Sequence, residues 1–95
     1  MAAYIIANID VTDAVAYEEY RQRAPAAIAA YGGRYLARGG STTVLEGDFK
    51  AHRLVILEFP DMAKLKAFYH SPDYQPLVAM RQRAATASLV AIEGV

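Results

Sequence analysis

Two segments of the chain carry apolar residues at both odd and even positions, and this pattern constrains the fold more than any other feature. Ala3–Ile9 reads AYIIANI, and Arg53–Phe59 reads RLVILEF. Successive side chains of a strand point to opposite faces of a sheet, so such a run predicts a strand that is covered on both sides. We therefore expect both segments to lie in the middle of a sheet.

Between these two strands the sequence predicts a long helix. Apolar residues recur at helical spacing from Ala14 to Tyr31, and Asp13 before them is a good N-cap. The pair Gly32-Gly33 is typical of a helix end. Pro25 lies inside the segment and cannot donate a backbone hydrogen bond, so we expect a kink there or two short helices in succession.

A polar segment, Arg34–Glu46, predicts the second strand, and Gly47-Asp48 then turns the chain. Its polarity favours an edge position. The pair Gly39-Gly40 predicts a β-bulge or sharp bend in the middle of this strand. In a regular strand, Arg34, Leu36 and Arg38 would share one face.

The last third of the chain predicts two helical segments and a final strand. Asp61 caps the first segment, whose buried stripe runs from Met62 to Tyr69. Ser71-Pro72 has the residues of a second helix start, and that helix is expected to continue to about Ala85. The final strand is predicted at Leu89–Ile92.

The resulting order, β-α-β-β-α-β, is that of the ferredoxin-like plan, an α+β fold with an antiparallel sheet and helices on one face. We expect one domain over residues 1–95. This plan places strands one and three at the centre and strand two at an edge. The apolar and polar strands of the sequence match those places.

The helices of this plan cover only one face of the sheet, yet strands one, three and four do not alternate apolar with polar residues. A bare second face would expose a large apolar patch, which monomeric soluble proteins avoid. We therefore predict a homodimer in which two sheets pack face to face.

The composition excludes several classes of function. Ten basic residues balance ten acidic ones, which argues against a nucleic-acid partner or an anionic membrane surface. There is no cysteine for a disulfide or a thiolate zinc site, and two separated histidines make a poor metal site. No segment has the pattern of a signal peptide or a membrane span, so a cytoplasmic protein without metal or cofactor is expected.

Several motifs together resemble one protein family. They are Tyr17-Glu18-Glu19-Tyr20, Tyr31 to Gly40 (YGGRYLARGG), Leu45-Glu46-Gly47, Arg53 to Pro60 (RLVILEFP) and Ser71 to Gln75 (SPDYQ). The combination is similar to the domain-of-unknown-function 1330 family in the dimeric α/β-barrel superfamily. The resemblance spans essentially the whole chain and implies ferredoxin-like protomers whose sheets pair into a barrel. It implies no particular activity. The positions of Phe49 and Phe68 often hold Trp in such relatives.

Protomers of this kind commonly leave a cavity beside the sheet, and polar residues of the strands and helices are candidates to line it. The candidate substrate-binding residues are Arg38, Gly39, Gly40, Glu46, Arg53, Glu58, Tyr74 and Arg81, and the candidate catalytic residues are His70, Tyr69 and Asn8. Arg38 could offer a two-pronged guanidinium to a carboxylate, with the Gly39-Gly40 bend admitting the ligand. The alternative is that arginines and glutamates on neighbouring strands form structural ion pairs.

The other candidates also have structural interpretations. His70 lies at a helix end, where a cation suits the helix dipole without any catalytic role. Tyr17, Tyr20 and Tyr31 share a helical stripe, which favours core or interface positions over a cofactor site.

Three functions remain open from the sequence. One is a protein that binds a small molecule, which could carry a carboxylate, in a cavity between sheet and helices. Another is an enzyme similar to the cofactor-independent monooxygenases, haem-degrading enzymes and isomerases of the superfamily. The third is a structural dimer whose cavity is filled by side chains.

Overall fold

The computed structural model describes residues 1–95 and contains one four-stranded antiparallel sheet and three helices. The elements in chain order are β1 (Ala3–Val11), α1 (Ala14–Ala30), β2 (Arg34–Arg38), β3 (Arg53–Phe59), α2 (Met62–Tyr69), α3 (Gln75–Ala84) and β4 (Ala85–Glu93). The strand order is β2-β3-β1-β4. The ferredoxin-like fold is confirmed, with the two strands that carry apolar residues on both faces at the centre and β2 at an edge. None of the helices combines the length and apolar character that crossing a bilayer requires.

The two faces of the sheet differ in what covers them. On β1, Ile5, Ala7 and Ile9 are buried beneath the helices, and Val55 and Leu57 of β3 lie on the same side. We call this side the helix face. The alternate residues form the opposite side, which no helix covers and which we call the open face. It consists of Tyr4, Ile6, Asn8, Leu54, Ile56, Glu58, Ser88, Val90 and Ile92.

Aromatic side chains join the helices to the helix face. Phe59 at the end of β3 and Phe68 of α2 are completely buried, and their ring centroids lie 5.1 Å apart. Phe68 also contacts Tyr74, at a centroid distance of 4.2 Å. Tilted ring pairs at such distances add to the stabilisation from apolar burial.

Helix α1 is one continuous helix, so of the two alternatives expected at Pro25, a kink or two short helices, the division into two helices is wrong. Its N-cap is Asp13, whose Oδ1 accepts a hydrogen bond from the Ala16 amide at 3.1 Å. Pro25 lies within the helix and leaves one backbone carbonyl without its usual donor. Ala24 and Ile28, on either side of it, are buried. Burial of this apolar face holds the helix together across the missing hydrogen bond.

The start of α3 differs from the prediction by one turn. Ser71 caps as expected, since its Oγ accepts from the Tyr74 amide at 3.0 Å and donates to the Phe68 carbonyl at 2.7 Å. These bonds hold an irregular turn, however, and the regular helix begins only at Gln75. Strand β4 then starts at Ala85, four residues before the predicted Leu89, because pairing with β1 begins there.

The second strand is shorter than predicted. It ends at Arg38, and residues 39–52 form an exposed loop instead of continuing as strand to Glu46. Gly39 has a positive φ of 69° and donates its N–H to the Leu54 carbonyl at 2.8 Å. This left-handed residue turns the chain away from β3, as glycine readily does.

Of the two alternatives predicted for Gly39-Gly40, a bulge or a sharp bend, the bend is present at Gly39, whereas the bulge in β2 lies earlier, at Leu36. Tyr35 pairs with Leu57 and Ala37 pairs with Ile56, so Leu36 is the extra residue. A bulge resets which side chains face which side. As a consequence Arg38, opposite Val55, shares the helix face with Tyr35 rather than sharing a face with Arg34.

Candidate functional site

A small cavity lies between the helix face of the sheet and the helices α1 and α3. Its interior space is about 30 Å³, enough for one or two water molecules. Apolar residues of the central strands form its floor. Its polar lining consists of Tyr17, Tyr20, Arg21, Tyr35, Arg38, Arg53, Tyr74 and Arg81. We call it the arginine cavity, after the three residues Arg38, Arg53 and Arg81.

The deepest of these arginines is Arg81. It lies on the buried side of α3, next to Val78 and Ala84, and is only 3% exposed. Its guanidinium carbon lies 6.0 Å from the centre of the Tyr20 ring. Its Nε is buried without any hydrogen-bond partner. A guanidinium keeps its charge at any pH at which proteins fold, so a full positive charge is buried here.

Arg53 enters the cavity from the start of β3. It pairs with Ile9 in the sheet register, which places it on the helix face, and its guanidinium carbon lies 5.9 Å from the Tyr17 ring centre. Its Nε is also buried without a partner. Any Cβ at Gly39 would collide with the Arg53 guanidinium. Gly39 therefore makes room for this arginine as well as turning the chain.

Arg38 lies at the mouth of the cavity. Its side chain is exposed, and its guanidinium carbon lies 4.5 Å from the Tyr35 ring centre, a cation–π distance. The bulge at Leu36 is what directs this side chain to the helix face. The Arg38 guanidinium therefore lies on the solvent side of the buried Arg81 and the half-buried Arg53.

None of these three arginines has a carboxylate within ion-pair distance, although the pKa of Glu18 is lowered by its hydrogen bond from Arg21 at the cavity wall and also by the charge of Arg53. The ion pairs of the chain are Arg21–Glu18, Arg23–Glu19, Arg34–Glu58 and a contact between His52 and Asp10. None involves Arg38, Arg53 or Arg81, and no Asp or Glu lines the cavity. Buried charges in proteins are normally paired and hydrogen-bonded, because removing them from water is costly. The cavity therefore carries a net positive charge.

The tyrosines of the cavity are neutral hydrogen-bonding groups. The hydroxyls of Tyr20 and Tyr74 lie 2.6 Å apart. Burial raises the pKa of Tyr20 far above its usual range, and the neighbouring Tyr74 raises it further. Burial also raises the pKa of Tyr17 and of Tyr35, against the lowering effect of the nearest arginine. The lining contains no His, Asp or Glu, so it offers no group that would take up a proton near neutral pH.

Glu58 and Glu46 lie away from the cavity. Glu58 is on the open face and accepts a 2.7 Å ion-paired hydrogen bond from Arg34 Nε, its direct neighbour across the strands. The sequence left open that Glu58 forms a structural ion pair with an arginine of a neighbouring strand. It does so, and the arginine is Arg34. Glu46 is exposed in the loop 39–52. Gly40 has no atom near the position of a Cβ.

Asn8 is on the open face, on the opposite side of the sheet from the cavity. Its Nδ2 donates to the Lys50 carbonyl at 2.9 Å, and its Oδ1 accepts from the His52 amide at 2.8 Å. These bonds attach the end of the loop 39–52 to the centre of the sheet.

Tyr69 and His70 border a second space. This α2 groove, of about 310 Å³, is lined by Ile5, Leu65, Lys66, Tyr69, His70, Leu89, Val90 and Ala91. His70 is exposed and ends α2, with its backbone N–H donating to the Lys66 carbonyl at 3.0 Å. These two candidates thus line the neighbouring groove rather than the cavity itself, and the Tyr69 ring packs 5.9 Å from the ring of Tyr74 in the cavity wall.

Of the four cavity tyrosines, sequence reasoning named Tyr74 as a site residue and missed Tyr17, Tyr20 and Tyr35. Tyr17 and Tyr20 are buried as expected, but their ring faces and hydroxyls also border the arginines. Their spacing of three residues on α1 was the available signal. It could not show that Arg81 of α3 lies opposite them. No cluster of three or more His, Asp or Glu side chains that could hold a metal is present.

The comparisons with known proteins agree with this architecture. The family model of DUF1330, a domain of unknown function, matches residues 2–95. The chain therefore belongs to this family. No curated protein sequence matches it.

Several solved structures share the fold. A protein of unknown function from Rhodopseudomonas palustris has a TM-score of 0.78 at 20% identity, with 99% of this chain and 82% of that one covered. SnoaB, a cofactor-independent oxygenase from Streptomyces nogalater, has a TM-score of 0.69 at 16% identity, with 99% and 93% covered. A dimeric ferredoxin-like protein of unknown function from Jannaschia sp. CCS1 has a TM-score of 0.67 at 17% identity, with 99% and 100% covered. At these identities the likeness concerns the fold.

Proposed function

We propose that this protein binds a small molecule with a carboxylate group, and that the carboxylate occupies the arginine cavity. The observation that carries the proposal is the absence of any acidic partner for Arg38, Arg53 and Arg81, two of which keep a buried Nε without a hydrogen bond. A bound carboxylate would supply both the missing charge and the missing acceptors. Guanidinium groups suit this ligand because their planar donors match its two oxygens.

We also propose that the protein is a homodimer that forms through the open face. Ile6, Val90 and Ile92 of that face are 39%, 60% and 54% exposed. Such a contiguous apolar surface is typical of an interface. A second copy is the partner with a matching apolar sheet, and the Jannaschia protein of the same fold is described as dimeric.

An enzymatic role is the second candidate, because SnoaB with the same fold is a cofactor-independent oxygenase. Such a role would need a proton acceptor beside the bound molecule. The cavity offers only arginines and neutral tyrosines, while Tyr69 and His70 border the α2 groove. The arginine cavity by itself therefore favours binding. A structural dimer with no ligand would leave the arginine charges without compensation, which disfavours the third candidate.

The binding proposal can be tested by thermal denaturation with acetate, propionate and benzoate at constant ionic strength. A ligand at one hundred times its dissociation constant stabilises the folded state by about 2.7 kcal/mol. We expect such stabilisation for the unmodified protein, and its loss in Arg38→Ala and Arg53→Ala. Arg83→Ala is the matched control, because Arg83 is an exposed arginine on α3 without an ion-pair partner.

Two results would contradict the proposal. One is the absence of stabilisation by every carboxylate. The other is stabilisation that remains unchanged in both Arg38→Ala and Arg53→Ala, which would place the anion elsewhere on the surface.

A further inference from the structure

We infer that the ligand is an amphipathic monocarboxylate whose apolar tail lies in the α2 groove while its carboxylate occupies the arginine cavity. This inference rests on the proposed function and specifies the chemical class of the ligand. A space of about 30 Å³ accommodates a group the size of a carboxylate and little more, so the rest of any ligand must lie outside it.

The α2 groove is the apolar space that adjoins the cavity. Ile5 and Leu89 line both spaces, so a molecule that leaves the cavity past these two side chains enters the groove. The groove is about ten times larger, at about 310 Å³. Most of its wall is hydrophobic, from Leu65 and Tyr69 of α2 to Ala91 of β4. These properties suit a hydrocarbon chain.

Ile5 and Leu89 separate the cavity from the groove, and Leu89 is the less tightly packed of the two. Leu89 is only half-buried, and β4 that carries it is an edge strand, paired with β1 alone. Ile5, in contrast, is 4% exposed in the centre of the sheet. A rotamer change of Leu89 would therefore open a passage with little loss of packing, whereas Ile5 would remain in place.

The charged residues that line the cavity and the groove favour a ligand with one negatively charged end and no positively charged group. Neither space has an Asp or Glu in its wall, and the only charged or titratable side chains beside the groove, apart from Tyr69, are Lys66 and His70. A ligand with an ammonium group on its tail would find no partner there. A second carboxylate at the far end would forfeit the apolar contacts of the groove. A monocarboxylate with a plain hydrocarbon tail matches the whole path.

The test is a calorimetric titration of the unmodified protein with straight-chain carboxylates from acetate to decanoate at constant ionic strength. Each methylene that enters the groove should tighten binding about fourfold, the factor that corresponds to about 0.8 kcal/mol per buried CH₂. The gain should stop when the groove is full. The alcohol of the same chain length as the tightest acid should bind far more weakly, because it lacks the charge that the arginines recognise.

Ala91→Phe is the informative variant. Ala91 is an exposed small residue on the helix-face side of β4, and a phenyl ring there would fill part of the groove. We expect acetate to bind as before and the gain with chain length to disappear. Val15→Phe is the matched control, because it adds the same aromatic group at a position of α1 that is 87% exposed and outside both spaces.

The outcomes separate this inference from the function on which it rests. If acetate and decanoate bind equally in an Arg38-dependent manner, the carboxylate site stands and the tail inference is overturned. If the chain-length gain survives in Ala91→Phe, the tail lies elsewhere and the inference is again overturned. If no carboxylate of any length binds, the proposed function fails as well.

Discussion

The two faces of the sheet are built from alternate residues of the same strands, yet one leaves charged groups unpaired and the other leaves apolar groups exposed. On the helix face, the chain buries Arg81 and most of Arg53 without any carboxylate to balance them. On the open face, the charged residue Glu58 is paired, while apolar residues such as Val90 and Ile92 stay in contact with water. One face has charge without a counterion, and the other has apolar surface without a cover.

A single strand can therefore contribute to both proposed interactions. In β1, Ile5 borders the cavity while the next residue, Ile6, is part of the open face. The cause is the two-residue period of a strand, which directs neighbouring side chains to opposite sides. A substitution on one face should therefore leave the property of the other face unchanged.

Ile56→Asp on the open face should weaken the proposed dimer the most. It places a carboxylate in the middle of the apolar face, and two-fold symmetry makes the change occur twice. At about 2 kcal/mol for each buried, unpaired polar group, the dissociation constant should rise on the order of a thousandfold. Sedimentation velocity over a concentration series measures this. Val15→Asp on the exposed side of α1 is the control, and an unchanged dissociation constant for Ile56→Asp would place the interface elsewhere.

Arg81→Met on the helix face should stabilise the ligand-free protein. It removes a buried charge that has no ion-pair partner and keeps an unbranched apolar stem in its place. The free energy of unfolding should rise by about 1–4 kcal/mol, and stabilisation by carboxylates should disappear. Urea denaturation with and without ligand measures both effects, with Arg83→Met as the control. A loss of stability without ligand would show that Arg81 is already compensated within the chain.

Gly39→Ala should destabilise the protein and weaken carboxylate binding together. The φ of 69° at Gly39 costs a residue with a Cβ about 1–2 kcal/mol, and the added methyl group would displace Arg53. Gly40→Ala is the matched control, because no atom lies near its Cβ position. Denaturation and ligand titration of both variants check this prediction. Equal effects from the two substitutions would contradict the role assigned to Gly39.

Alkaline pH should destabilise the protein through the buried tyrosines. Burial raises the pKa of Tyr20 in the folded state, so above about pH 10 the unfolded chain loses this proton while the folded chain keeps it. The free energy of unfolding is then unaffected by Tyr20 below that pH and falls above it by about 1.4 kcal/mol per pH unit. Urea denaturation between pH 8 and 11 measures the slope. Tyr20→Phe should reduce it, and an equal slope in this variant would count against the prediction.

Arg34→Ala should have the smallest effect. The Arg34 side chain is 70% exposed, and its pair with Glu58 lies at the edge of the sheet. Such exposed pairs contribute up to about 1 kcal/mol. We expect a small loss of stability and unchanged carboxylate binding, measured by denaturation and titration. A loss of binding would show that the edge of the open face influences the cavity, which the separation of the two faces does not allow.

The fold could be predicted from the sequence because its main signals are local. Neighbouring residues alone specify β1 and β3, because both strands carry apolar residues on both faces. They also specify the starts of α1 and α2, through the caps Asp13 and Asp61. The details that failed depend on pairing between distant segments. The early start of β4 and the early end of β2 are set by what lies beside each strand, which the sequence does not display.

The candidate site was predictable in part. Arg38, Arg53, Tyr74 and Arg81 do come together, because residues on the helix-facing side of three elements converge there. Asn8 faces the other way, and the sequence could not show this because both faces of β1 are apolar. The bulge at Leu36 was also hidden, since the nearby glycines gave the stronger signal.

That bulge has a consequence for comparing this chain with other sequences. Leu36 is the extra residue opposite β3, so a chain without it would keep Tyr35 opposite Leu57 and Arg38 opposite Val55. A one-residue gap at this position therefore preserves the cavity, whereas a gap at Ala37 or Tyr35 removes a paired side chain. Aligned relatives should vary in length at Leu36 more freely than anywhere else in β2. An alignment that places the gap beside Gly39-Gly40 would pair Arg38 with the wrong residue of the relative.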